Sequence, residues 1–178
     1  MFWHRDGQWR KIDNGTRTTM IDADDQLGLF VLKTNGRIFQ HTGNAQFRIF
    51  DDNSGGMGPA THSISTAGGV VYVLKSAGAV WRNNGSWQNL DPSGQNSVQI
   101  AGDGNSVSVL KNDGNVWTFR NENWVNSFRA GGVRQLEARA DEVVALRHDG
   151  IMIARQGNFG PFASEIRVQN FEKLHNNQ

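Results

Sequence analysis

The sequence predicts an all-β chain assembled from a repeated four-stranded unit, and three observations carry that prediction. The first is composition: of 178 residues 21 are Gly, 6 are Trp and only 3 are Pro, a mix that suits short strands joined by tight turns. The second is a phrase that recurs four times, over residues 29–39, 71–81, 107–117 and 143–153. The third is that the two ends of the chain read as complementary parts of one further copy.

Within each copy an apolar run ends in Leu-Lys or Leu-Arg, two residues and a Gly follow, and a second apolar run begins. The anchor leucines Leu32, Leu74, Leu110 and Leu146 lie 42, 36 and 36 residues apart. Two β-rich runs around a short glycine-bearing turn predict a hairpin, with Gly36, Gly78, Gly114 and Gly150 supplying the positive φ. Because both runs are apolar at successive positions, they are expected to be covered on both faces. Ten or eleven residues before each leucine stands Ile21, Ile64, Ile100 or Leu136, the mark of an earlier strand. After the second run come Asn84-Gly85-Ser86-Trp87, Asn121-Glu122-Asn123-Trp124 and Gln156-Gly157-Asn158-Phe159, each a polar turn entering a further strand. The unit is therefore four strands, a to d.

At the N-terminus, Phe2 to Trp9 matches Val80 to Trp87, so the chain opens at strand c. Ile166-Arg167-Val168 matches strand a of a next unit, and Leu174-His175-Asn176-Asn177-Gln178 makes a weak strand b. Repeats of about 36 residues with this division predict a five-bladed β-propeller. It is closed by pairing of N- and C-terminal strands into a last blade of three or four strands, with residues 1–178 as a single domain.

Charge and residue inventory exclude several function classes. There are 18 Lys+Arg against 17 Asp+Glu and a net charge of +1, so no nucleic-acid partner is expected. Zero cysteines remove disulfides, thiolate chemistry and sulfur-ligated zinc. No apolar run nears the roughly 20 residues of a membrane helix, so no membrane insertion is expected. The N-terminus turns polar at His4-Arg5-Asp6, with no signal peptide visible; the expected location is the cytoplasm, or outside the cell by a leaderless route. His4, His41, His62, His148 and His175 occupy unrelated repeat positions. The acidic stretches at Asp22-Ala23-Asp24-Asp25 and Asp51-Asp52 follow no calcium-loop spacing. With no nucleophile-elbow, zinc-helix or phosphate-loop motif either, the expectation is a non-enzyme without cofactor or metal.

Two side-chain sets recur in step with the repeat. Trp9, Trp87, Trp124 and Phe159, together with Phe47, stand just past the c–d turn, where an exposed ring can stack on a pyranose face. Arg5, Arg82, Arg120 and Arg155 precede those aromatics by four or five residues. With Asn83 and Asn121 beside them, they can donate paired hydrogen bonds to vicinal hydroxyls or an acidic group. The copy with Gln40 and His41 lacks the arginine. Lys33, Lys75, Lys111 and Arg147 follow the anchor leucines and read as charges guarding strand ends.

The Val-Trp or Ile-Phe after each turn glycine, with a second Trp six or seven residues on, resembles the tectonin family of propeller repeats and, more loosely, tachylectin-type lectins. The phrase Leu-Lys-x-Asp-Gly-x-Val-Trp is also similar to repeats of the chromosome-condensation-regulator type, which are longer and carry a Gly-Gln-Leu-Gly signature absent here. The tectonin resemblance implies a carbohydrate-binding propeller with several similar sites, each weak, gaining strength through multivalency. Its partners are then glycans or glycoconjugates. The alternative is a protein–protein interaction scaffold using a propeller rim or the long loop near residues 51–58. Near-equivalent sites mark the first reading, and one non-repeating patch marks the second.

Overall fold

The computed structural model describes residues 2–5, 8–11, 17–44, 46–53, 60–91, 96–128, 132–139, 142–150, 152–156 and 166–168, and every described element is a strand or a turn. β1 (Phe2–Arg5) and β2 (Gln8–Lys11) form a two-stranded antiparallel pair. Four antiparallel sheets of four strands follow, each in sequence order. The first holds β3 (Thr18–Asp24), β4 (Gly28–Lys33), β5 (Ile38–Gly43) and β6 (Gln46–Asp51). The second holds β7 (Thr61–Ala67), β8 (Val70–Lys75), β9 (Val80–Asn83) and β10 (Trp87–Asp91). The third holds β11 (Ser97–Gly102), β12 (Val107–Lys111), β13 (Val116–Arg120) and β14 (Asn123–Phe128). The fourth holds β15 (Val133–Arg139), β16 (Glu142–Arg147), β17 (Met152–Gln156) and β18 (Ile166–Val168). The a-b-c-d grammar of the sequence is thus the strand order of each sheet.

One assignment changes. Ile166–Val168, expected to open a closing blade as strand a, pairs antiparallel with β17 and takes the outer position of the fourth sheet. The turn expected to lead into that outer strand, through Phe159, lies outside the described residues. The reason is pairing economy: β17 has an open edge, and a β-branched segment reaching it satisfies a row of backbone groups at once.

The b–c turn is the most regular local feature. The amides of Gly36, Gly78, Gly114 and Gly150 donate to the carbonyls of Lys33, Lys75, Lys111 and Arg147 at 2.8–3.1 Å. The glycines have φ between 76° and 90°, the left-handed value that closes a type I turn followed by a bulge. Strand a carries a second repeated device. Thr19, His62, Val98 and Arg134 are each skipped in the pairing with strand b and project outward as exposed bulge residues.

Two compact units divide the chain, Met1–Gln95 and Asn96–Gln178. Each sheet has a trailing face, bearing the anchor leucine, and a leading face, bearing the residue before it. In the first unit the trailing face of the first sheet (Phe30, Leu32, Ile38, with Met20 and Phe50) packs on the leading face of the second (Ile64, Val71, Val73, with Trp81 and Trp87). In the second unit Leu110, Val116 and Phe128 pack in the same sense on Leu136, Val143 and Ala145. The innermost strands are stitched at one register. Gln99 Nε2 donates to the Leu136 carbonyl at 2.7 Å, and the Leu136 amide donates back to Gln99 Oε1 at 3.0 Å. At the equivalent position the Ile64 amide points at Met20 Sδ, 3.4 Å away.

Candidate functional site

Three of the repeated aromatics share one structural position. Phe47, Trp87 and Trp124 are cross-strand partners of His41, Asn83 and Phe119, two residues beyond the strand-c position facing Val31, Val73 or Val109. What each ring meets differs. Phe47 lies 5.1 Å from the His41 ring at a tilt of 58°, and Trp124 lies 5.3 Å from Phe119 at the same tilt. Trp87 instead packs edge-on against Phe50 of the first sheet, centroids 5.7 Å apart, and is half-buried in the inter-sheet core. Its exposed stacking face is correspondingly reduced. Trp87→Ala is expected to lower unfolding stability by about 2 kcal/mol, below the full cost of a buried aromatic because the ring is only half-covered. Urea denaturation checks this, with Trp124→Ala as the comparison.

The arginines share no single position. Arg82 faces Gln88 across β9–β10, and its Nη2 donates to Gln88 Oε1 at 2.6 Å. Arg120 lies two residues further along its strand, opposite Asn123. The residue of the third sheet at Arg82's own register is Thr118, paired with Ser108 as Arg82 is with Tyr72. Arg155 pairs with Val143, one step from the Arg82 register. The asparagines serve the turns: Asn83 Oδ1 accepts from the Gly85 amide at 3.0 Å. Asn121 and Glu122 take φ of 49° and 59° as the two central residues of their hairpin. Arg5 pairs with Gln8 and Trp9 with His4 in the β1–β2 pair. Phe159 lies outside the described residues.

Two features escape reading by repeat spacing. Arg48 on β6 replaces the arginine missing from the first sheet: its Nε and Nη2 donate to Gln40 Oε1 at 2.8 and 2.6 Å, while Gln40 Nε2 donates to the Leu27 carbonyl at 2.6 Å. The pair Gln40–Arg48 is Arg82–Gln88 with its members exchanged between strands. The strand-end lysines also have a repeated duty. Nζ of Lys33, Lys75 and Lys111 donates to Thr18 Oγ1, Thr61 Oγ1 and Ser97 Oγ at 2.7–2.9 Å, closing the strand-a bulge from the opposite strand. The readable signal is a hydroxyl 14 or 15 residues before each lysine.

Lys75 goes further. It is 1% exposed, and its Nζ also donates to Asp51 Oδ2 at 3.1 Å and Asn53 Oδ1 at 3.0 Å. This joins the second sheet to the root of the long loop of the first. Asn53 there has φ of 63° and donates its amide to Asp51 Oδ1 at 3.0 Å.

A second carboxylate ties the same two sheets at their inner strands. Asp22 Oδ2 accepts from the Thr66 amide at 2.6 Å, and its Oδ1 accepts from the Ala23 amide at 2.9 Å. Burial raises the Asp22 carboxyl above its ordinary value of 3.8, those amides offset part of the rise, and Asp24 adds to it. A carboxyl raised in the native state holds its proton longer there than in the unfolded chain. Stability from this group is therefore fullest below 3.8 and falls as pH rises through the window up to the raised native value. Asp22→Asn leaves one oxygen for the two amides but removes the titrating group, so the parent's loss of stability with rising pH across this window is expected to vanish in the variant. Thermal melts of both proteins across the acid range check the sign.

No protein-family model matches the chain, and no curated protein matches it in sequence. Solved structures do. The chain superimposes on human WBSCR16 with a TM-score of 0.69 at 11% identity, over 92% of this chain and 56% of that one. On yeast RCC1 (Prp20), solved with Kap60 bound, it does so at 0.63 and 12%, over 93% and 52%. On YCF48, solved bound to D1 peptide, the values are 0.60 and 12%, over 85% and 56%. The fold is that of a β-propeller, and the chain spans about half the length of each of these neighbours. At such identities the likeness speaks to fold alone.

Proposed function

We infer that the chain is a non-catalytic propeller module of five sheets, with β1–β2 as part of the fifth, that binds protein partners through a non-repeating surface. The observation that carries this reading is the changing chemistry of one row. At its exposed outer strand that row carries Arg48 in the first sheet, Gln88 in the second and Val125 in the third, while its inner members Phe30, Tyr72 and Ser108 are buried. A lectin with several similar sites needs the same donors and rings in each blade, whereas a scaffold needs one distinctive patch. Two propellers among the structural neighbours were solved with a protein or peptide bound, Kap60 on RCC1 and D1 peptide on YCF48, which supports the same class of partner.

The candidate contact is the loop after β6, in the repeat that is six residues longer than the others. Its root Asp51–Asn53 is clamped by buried Lys75, which fixes where the chain leaves β6. The test exposes the immobilised protein to cell extract, alongside a form with residues 54–59 replaced by a Gly/Ser segment of equal length, and screens both on a glycan array. Retained proteins lost on loop replacement, with a blank array, are the expected result. Binding to a related set of glycans with equivalent sites returns the chain to the lectin class that its tectonin-like repeats imply.

A further inference from the structure

Arg48 combines a fixed guanidinium with an unspent charge. It stands on β6, the outer strand of the first sheet, and is exposed. Its Nε and Nη2 both donate to Gln40 Oε1, at 2.8 and 2.6 Å, so one edge of the planar group is occupied. Gln40 is only 8% exposed and spends its own Nε2 on the Leu27 carbonyl at 2.6 Å. The guanidinium is thereby anchored, through a buried amide, to the backbone of the β3–β4 turn. An arginine carries five N–H donors in a rigid fork, and the edge formed by Nη1 and Nη2 is left for another acceptor. Gln40 is neutral, so it orients the cation without compensating it. Arg147 pairs with Asp149 and Lys75 with Asp51, but among the described residues no carboxylate forms an ion pair with Arg48.

The neighbourhood adds aromatic surface. Phe50, two residues further along β6, packs on Phe30 and on Trp87 of the second sheet, with centroids 5.0 and 5.7 Å away. Phe30 is the cross-strand partner of Gln40, so Arg48, Gln40 and these rings belong to the face that meets the second sheet. Phe50 and Trp87 are each half-buried. Arg48 thus marks the outer end of the seam between two sheets, beside rings that still show part of their surface. The arrangement is not repeated. In the second sheet the exchanged pair puts Arg82 on the inner of the two strands, half-buried, and Gln88 outside; the third sheet carries Val125 there. Arg and Trp are the side chains most enriched where protein interfaces concentrate their binding energy.

We propose that this seam binds an acidic side chain of a partner protein, its carboxylate on the Nη1–Nη2 edge of Arg48 and an adjoining apolar side chain against Phe50 and Trp87. The proposal rests on the protein-binding reading above and names the chemistry that the partner brings. A carboxylate fits the open edge because its two oxygens accept two parallel N–H bonds, a match an ammonium does not offer. Gln40 supplies what a loose surface arginine lacks: the fork is oriented before the partner arrives, so less rotamer freedom is lost on binding.

A phage-displayed library of random peptides, panned on the full chain, tests this. Selected peptides are expected to share an Asp or Glu beside an aromatic or aliphatic residue. One of them, synthesised with a fluorescent label, is then titrated by anisotropy. Arg48→Gln removes the charge at an exposed position and is expected to keep the parent's melting temperature while weakening binding by roughly 10- to 100-fold. Arg48→Lys keeps the charge without the fork and is expected to recover only part of that loss. A selection that yields no peptide, or peptides sharing no acidic residue, overturns the proposal. So does an acidic peptide held equally well by Arg48→Gln, and full binding by Arg48→Lys overturns the bidentate geometry. Peptide binding that ignores Arg48→Gln but is lost when residues 54–59 are replaced sinks this site and leaves the protein-binding reading in place. Binding confined to carboxylate-bearing glycans sinks both.

Discussion

Gly114→Ala is expected to destabilise the protein by roughly 3 kcal/mol or more, the sum of a left-handed backbone strain of about 1–2 kcal/mol and a steric term of about 1–3 kcal/mol. Gly114 has φ of +78°, and a Cβ built there collides with the backbone of Gly132 and comes within 3.1 Å of the Val133 amide. Those atoms open the next sheet, whose Val133 amide donates to the Gly114 carbonyl at 3.4 Å. Neither partner is the free end of a flexible side chain, so relief requires moving one sheet against the other. Gly150 isolates the two terms. It holds the same turn with φ of +81°, but nothing among the described residues lies within 4 Å of its added Cβ, and Gly150→Ala is expected to cost only the strain, about 1–2 kcal/mol. Urea unfolding of the three proteins, followed by tryptophan fluorescence, reads the difference directly. Equal losses at the two glycines show that the steric term is absent.

Those turns were also the part of the molecule most legible in the sequence, because a Leu-Lys-x-x-Gly phrase specifies its hairpin locally. Strand order within the sheets followed for the same reason, each strand pairing with its sequence neighbour. The candidate site was less legible because hairpin loop length sets register. Asn83 pairs with Trp87 across the three-residue turn 84–86, whereas Arg120 pairs with Asn123 across the two residues Asn121 and Glu122. Arg82 and Arg120 stand at nearly equal distances before their tryptophans in sequence and still land two register steps apart. The same arithmetic hid Arg48, which sits on the opposite strand from the arginine it replaces. Nor does a four-residue spacing reveal that Trp87 finds Phe50, since that contact depends on how two sheets meet. Ile166–Val168 resembles strand a yet pairs with β17, because likeness among short β-branched segments does not specify which edge they pair with.

Removing the Asp51 carboxylate is expected to have the other large effect on stability. Lys75 Nζ is enclosed by one anion and two neutral acceptors, Asp51 Oδ2, Asn53 Oδ1 and Thr61 Oγ1, and the side chains of the ion pair are 0% and 4% exposed. Asp51→Ala leaves the ammonium buried with dipoles alone and takes away the acceptor that holds the Asn53 amide; loss of one partner from a buried ion pair costs about 3–5 kcal/mol. Lys111→Met gives the contrast. Lys111 holds the same strand position and bonds Ser97 Oγ at 2.7 Å, but it is half-buried, so its loss is expected to cost about 1–2 kcal/mol, less than the loss of the Asp51 carboxylate. The double variant Asp51→Asn with Lys75→Met removes both charges together and is expected to be more stable than Asp51→Ala, since an uncompensated charge, rather than the missing contact, dominates the single loss. Burial also shields the pair from counterions, so the Asp51→Ala deficit is expected to stay nearly constant between low and high salt. A deficit that vanishes at high salt shows instead that water reaches Lys75, and the loop root is then not held by a buried pair.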